Sequence, residues 1–193
     1  MSARLAYPSR TAMTRAILRE YRATDTHTRV QGRDWYPTAL DIAGNLAADN
    51  GLAIEQAAGV IAALSPQQQW WQNVMLARQA CDAGVIVQGH TGDAMRKVNA
   101  ILQGAEPLDV LGGFKVRSFY GNIIAQGEDD GVTIDRHAWR TVCGSNELGQ
   151  RGSVPDAGYP LAVEAFRHAV SFIDEPLTGA QLQAIVWIPR AAK

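Results

Sequence analysis

Three separated stretches of the chain carry residue types able to do chemistry. The first is GVTIDRHAWR at 131–140, where Asp135 stands between a short extended segment and a helix. That is the position of an N-cap, whose carboxylate accepts backbone N–H bonds and faces the positive helix end. In a partly dry crevice an ionised carboxylate can stabilise an oxocarbenium-like sugar and orient a water, which is what cleavage of an N-glycosidic bond requires. Without companions the motif reads as a purely structural cap.

The second stretch is AGVIAALSPQQQWWQN at 58–73. A helix ending at Leu64-Ser65, followed by Pro66 and then Gln67, Gln68 and Gln69, puts amide side chains at the exposed mouth of a helix pair. Glutamine has donors and an acceptor, so it can replace the hydrogen bonds of an extruded base without demanding one sequence. The competing reading takes Ser65 as an N-cap with Pro66 at the first helical position, so that the glutamines merely decorate a helix start. On that argument Trp70 and Trp71 are core.

The third is LGGFKVRSFYGNI at 111–123. A helix over 91–103, a short linker, the Gly112-Gly113 turn and a helix beginning near Lys115 form a helix-hairpin-helix outline. Backbone amides at such a helix start can hold a DNA phosphate, and Lys115 and Arg117 add positive charge. Two glycines before a helix are common, and alone they specify little.

Helical elements position these stretches. TAMTRAILREYRAT places Met13, Ile17, Leu18 and Tyr21 on one stripe; YPTALDIAGNLAADNG places Ala39, Ile42, Ala43, Leu46 and Ala47 on another, ending at an Asn50-Gly51 C-cap. Further helices are predicted over 53–64, 69–82, 91–103, 115–126, 136–143, 158–172 and 178–188. VIVQG at 85–89 and VTID at 132–135 are too short to found a sheet, so the predicted class is all-α. The connection at 144–158 is rich in turn residues and reads as a mobile loop.

The chain has 193 residues and 47% hydrophobic content, enough for a core without staples. Its cysteines, Cys81 and Cys143, cannot build a disulfide framework or a thiolate-clustered metal site, and read as small buried hydrophobes in a reducing compartment. No signal-peptide core and no membrane span is visible, which predicts a cytoplasmic protein with no membrane partner. Net charge is −1, which excludes a globally basic nucleic-acid coat but permits a local basic face. The arginine surplus at the N-terminus (Arg4, Arg10, Arg15, Arg19, Arg22, Arg29, Arg33) reads as a solvated helix face ahead of a phosphate-binding stripe.

Together and in this order, the motifs resemble the helix-hairpin-helix DNA glycosylase superfamily, of which endonuclease III is the familiar member. That family has an L-S-x-Q segment with a DNA-intercalating glutamine, an L-P-G-V-G-x-K hairpin, and a V-D-x-H segment followed by an aromatic and an arginine. Leu64-Ser65-Pro66-Gln67, the run Leu111 to Arg117, and the run Ile134 to Arg140 are similar to these, so the resemblance spans about residues 56–143. It implies a two-lobed helical bundle, lobe A about 42–130 with its hairpin at 111–123, and lobe B from 1–41 plus 131–193, with the base entering the crevice between them. It further implies Asp135 as the catalytic carboxylate, Gln67 and Gln68 at the wedge, and Gly112, Gly113, Lys115, Arg117 and Arg136 as nucleic-acid contacts. His137 would buttress the helix of Asp135.

The departures shape the expected chemistry. In ungapped register Arg117 falls where bifunctional members carry the lysine that attacks the sugar, and arginine stays protonated and forms no Schiff base. The implied activity is therefore monofunctional, with water as nucleophile and no strand nicking; a two-residue slip would restore Lys115 as nucleophile. The four-cysteine iron–sulfur signature of some relatives is missing, so no cluster, metal or other cofactor is expected. Some phage-encoded relatives modify thymine, which leaves repair and modification both open within this class. Two other classes stand beside it: a non-catalytic DNA-binding or phage accessory protein that kept the fold, and a helical protein–protein adaptor. No motif specifies the base recognised or an oligomeric state.

Overall fold

A computed structural model of the chain describes residues 6–129, 131–144, 147–150 and 153–191, with the Glu147 side chain not included. Arg4, and positions 145–146 and 151–152 of the 144–158 connection, lie outside the described residues. The protein is all-α: the described residues form twelve helices and no strand. In order these are α1 (Arg10–Arg22), α2 (Thr26–Arg33), α3 (Trp35–Asn50), α4 (Ile54–Leu64), α5 (Trp70–Ala83) and α6 (Gly92–Leu102), followed by α7 (Pro107–Val110), α8 (Phe114–Ile124), α9 (Arg136–Cys143), α10 (Glu147–Gln150), α11 (Tyr159–Val170) and α12 (Gly179–Ala191). The chain divides into two compact units, Met1–Tyr36 with Gly127–Lys193, and Pro37–Gln126.

In the first unit, α1 packs on α11 and α9, while α12 packs on α2, α11 and α9. The stripe expected on α1 is the face that goes inside: Met13, Ile17, Leu18 and Tyr21 are all buried, alongside Trp139, Phe166, Leu182 and Ile185. Each aliphatic side chain buried in this way contributes about 1.5–3 kcal/mol. Ser9 caps α1 by accepting from Ala12 N at 3.2 Å. Glu175 gathers the Tyr21 hydroxyl at 3.0 Å and the guanidinium groups of Arg29 and Arg33, and Arg19 and Arg190 both pair with Glu20. Arg29 and Arg33 thus pair with one carboxylate, while Arg19 is largely exposed and lies 3.7 Å from Glu20. The segment before α9 is extended but unpaired with a second strand. The Tyr159 hydroxyl instead donates to Val132 O at 3.0 Å and accepts from Ile134 N at 3.1 Å, which fixes the approach to Asp135.

In the second unit α4 is the most buried helix, with Ala57 to Leu64 wholly inside and with α5, α6 and α8 packed around it. Side-chain amides complete its frame. Gln56 accepts from Ala53 N at 3.0 Å and donates to Ile101 O at 2.9 Å, and Asn73 donates to Ile61 O at 3.1 Å. The run at 85–89 forms no strand: it bends at 88–89, and Asn99 accepts from Ile86 N at 2.8 Å and donates to Ile86 O at 2.9 Å, replacing one rung of a ladder. On α3, Ala39, Ala43, Leu46 and Ala47 are buried and Ile42 is half-buried, and Gly51 follows in the left-handed conformation (φ 64°) that ends the helix.

Several expectations are corrected. Ser65 ends α4 and α5 starts only at Trp70, so Pro66 does not open a helix and the glutamines lie in a turn. Trp71 is not core: it is 57% exposed, because the first turn of α5 buries Asn73 rather than position 71, while Trp70 is half-buried against Phe119 with ring centroids 6.3 Å apart. The short helices α2, α7 and α10 were not anticipated, and α10 interrupts the connection at 144–158 that reads as a loop. Both cysteines are free and buried, as expected, and burial pushes each thiol up to about 11.

Candidate nucleic-acid interface and carboxylate site

The second unit brings two of the three motifs into contact. Between α4 and α5 the chain turns through Ser65 to Gln69, with Gln67 exposed in the left-handed region at φ 60°. An L-residue there is strained by about 1 kcal/mol relative to glycine, and Gln68 beside it is half-buried. Three side chains hold the turn. Lys115 Nζ donates to Ser65 Oγ at 3.0 Å and to Ser65 O at 3.3 Å. His90 Nε2 meets Pro66 O at 2.9 Å. Trp71 Nε1 donates to Gln69 Oε1 at 2.8 Å. The amide turn and the start of α8 are therefore one local structure, although 50 positions separate Ser65 from Lys115.

Of the two glycines before α8, Gly113 alone takes a backbone that favours glycine. Gly113 sits at φ 78° at the start of α8, with no side-chain cap on that helix, and a Cβ at Gly112 would come within 3.6 Å of Lys97 Nζ. Arg117 points the other way from the role its charge suggests. Its Nη1 donates to the carbonyls of Leu111, at 3.0 Å, and Leu108, so it fastens α7 to the start of α8.

Asp135, Arg136 and His137 belong to the first unit. The Asp135 carboxylate is half-buried and caps α9 as expected: Oδ1 accepts from His137 N at 2.9 Å and from Ala138 N at 2.8 Å. Oδ2 accepts from Trp187 Nε1 at 2.8 Å, and the Trp187 ring packs on Trp35 with centroids 4.8 Å apart. A carboxylate offers about four acceptor positions, two on each oxygen. Among the described residues Oδ1 accepts two bonds and Oδ2 one.

His137 supports this cap through its backbone N–H rather than its ring, which accepts from Arg136 Nε at 3.2 Å. Burial holds the imidazole below its ordinary range; Asp135 pulls it up, and Arg136, Arg140 and Arg190 push it down. Arg140 Nε donates to Gly149 O at 3.3 Å, and Arg190, on the same helix as Trp187, pairs with Glu20 at 2.9 Å. Trp187 and Trp35 were missed by sequence reasoning. A tryptophan in the apolar run AIVWIP carries no local sign that its N–H reaches a carboxylate 52 positions earlier. Among the described residues no cluster of three or more histidine, cysteine, aspartate or glutamate side chains could hold a metal.

These features define an all-α protein of two helical units, one carrying a lysine-braced glutamine turn and the other a capped carboxylate. The chain belongs to a family of unknown function, DUF7178, whose model matches residues 2–193. No curated protein matches the chain, and neither does any solved structure. No helix among the described residues is long and apolar enough to cross a membrane.

Proposed function

We propose that the protein is a DNA-binding, base-flipping enzyme of the glycosylase type. In this reading the Gln67 turn enters the duplex, the start of α8 with Gly112, Gly113 and Lys115 meets the backbone, and Asp135 stabilises the sugar cation while a water attacks. The observation that carries the reading is the tie between Lys115 and Ser65, which supports the wedge and clamp as one surface. Lys115 serves there as a brace, and Arg117 as the fastener of the hairpin. The chemistry is monofunctional, on a damaged or a modified base.

The test uses the full chain with labelled duplexes carrying damaged or modified bases. Wild type binds duplex DNA with a steep salt dependence, since phosphate contacts release counterions. It frees a base without nicking, Asp135→Asn binds but frees none, and Gln67→Gly keeps the turn, because glycine suits its backbone, but opens the base poorly. Binding that ignores salt, or base release that persists in Asp135→Asn, overturns the reading. The three N–H donors on Asp135 favour a second reading, a non-catalytic DNA-binding protein in which that residue is only a cap. DNA binding with no base release by wild type selects it.

A further inference from the structure

Of the eight residues of α9, only Arg136 and Arg140 are exposed. They stand at i and i+4, on one side of the helix and with Cβ atoms about 5–6 Å apart, so the solvent face of α9 is a pair of guanidinium groups. Other arginines are committed elsewhere: Arg29, Arg33, Arg78 and Arg190 each meet a carboxylate. Arg136 and Arg140 form no ion pair among the described residues. Each is tied by its Nε alone to a neutral acceptor, the His137 ring at 3.2 Å and Gly149 O at 3.3 Å, which orients the fork and leaves its two Nη groups for another acceptor. The His137 ring is kept neutral by burial first, and then by Arg136, Arg140 and Arg190 against the pull of Asp135, so it accepts from Arg136 instead of repelling it.

We infer that Arg136 and Arg140 are a phosphate clamp that holds the backbone of a DNA strand beside the Asp135 carboxylate. This rests on the DNA-binding reading above and deepens it, because it gives the carboxylate a strand contact on its own helix. Guanidinium forks take phosphate oxygens in pairs and keep their charge at any working pH. The complement of two oriented cations one helical turn apart is a repeating anion, which a nucleic-acid strand supplies with one charge per nucleotide. Asp135 does not cancel the pair. Its carboxylate is half-buried and takes N–H bonds from His137, Ala138 and Trp187, whereas both arginines face solvent.

The experiment measures binding of the full chain to a fluorescent DNA duplex at several salt concentrations. Wild type shows a steep slope of log Kd on log salt. Arg136→Gln with Arg140→Gln flattens that slope by about 1.8, since each phosphate contact on duplex DNA contributes about 0.9. Each single glutamine variant flattens it by about 0.9, which keeps the test decisive should the pair fail to fold. Arg136→Lys with Arg140→Lys keeps the slope, because the charge stays, and loses affinity, because the fork is gone. Arg15→Gln with Arg22→Gln removes the same charge from exposed positions of α1 and leaves the slope unchanged. If wild type binds with a salt slope that the glutamine variants keep, the clamp is overturned while the DNA reading stands. An equal flattening by the α1 pair makes the effect one of diffuse charge and also overturns the clamp. If polyglutamate binds wild type and only that binding is lost in the glutamine variants, the face belongs to an acidic protein and the clamp falls. If wild type binds no DNA, both readings fall.

Discussion

Trp187 donates its indole N–H to Oδ2 of Asp135 at 2.8 Å, from a helix that begins more than forty residues downstream. The helix-end amides of His137 and Ala138 take Oδ1, so the carboxylate is gripped on both oxygens and cannot rotate without losing a bond. Trp35 closes the far side of the indole. An N-cap ordinarily fixes one oxygen; here the second is fixed by tertiary structure.

Trp187→Phe keeps the ring packing and deletes the donor. A hydrogen bond to a charged acceptor is worth about 1.5–3 kcal/mol, and partial exposure reduces that, so a loss of about 1 kcal/mol in chemical denaturation is expected. The indole N–H resonance of Trp187 should also shift markedly in Asp135→Asn, which weakens the acceptor. An unmoved resonance would show that the bond does not form in solution.

Gly32 is where α2 touches α12. A Cβ at this position would stand 2.5 Å from Ile185 Cα and 2.7 Å from Ile185 N, and backbone cannot move aside as a side chain tip can. Gly32→Ala should therefore destabilise by at least the 1–3 kcal/mol typical of overpacking, roughly 4–8 °C or more in thermal midpoint if the unit unfolds as one. Gly51→Ala is a useful contrast, since nothing lies within 4 Å of a Cβ there and only its left-handed backbone is strained. Equal thermal midpoints for Gly32→Ala and wild type would refute the close approach of the two helices.

How much of this was legible in the sequence depends on how local each cause is. α9 could be read to the residue, because Asp135 before an apolar-periodic run is a cap signal contained in four positions. The stripe of α1 was equally plain. α2 was not, since THTRVQGR offers Val30 as its one large apolar side chain, and that is half exposed; the helix is held by the Asp25 cap, the Gly32 approach and the Glu175 cluster. The proline after Ser65 pointed both to a helix start and to a helix end, and only the packing of α5 decided between them. For the site, the types of Gln67, Lys115 and Asp135 drew attention, whereas tertiary bonds on Lys115 and Asp135 come from Ser65 and Trp187. Those partners are distant or unremarkable by type, and no spacing rule links them.

His137 gives the molecule a pH dependence whose sign follows from its surroundings. Burial, the first cause, holds the folded imidazole below its ordinary range, and three arginines reinforce this against the pull of Asp135. The unfolded chain therefore binds the proton more readily than the folded one. The corresponding stability is fully present above the unfolded value of about 6.5 and is lost as pH falls through the lower folded value. Denaturation midpoints should thus fall on acidification from neutral pH, and His137→Gln should flatten that part of the profile. The Arg136 guanidinium adds a direct reason, since its Nε donates to the ring nitrogen that an added proton would occupy. In a titration by NMR, His137 should hold its neutral form to a pH below the ordinary imidazole value of about 6.5. A His137 that titrates above that ordinary value would mean that Asp135, rather than burial and the arginines, governs the ring.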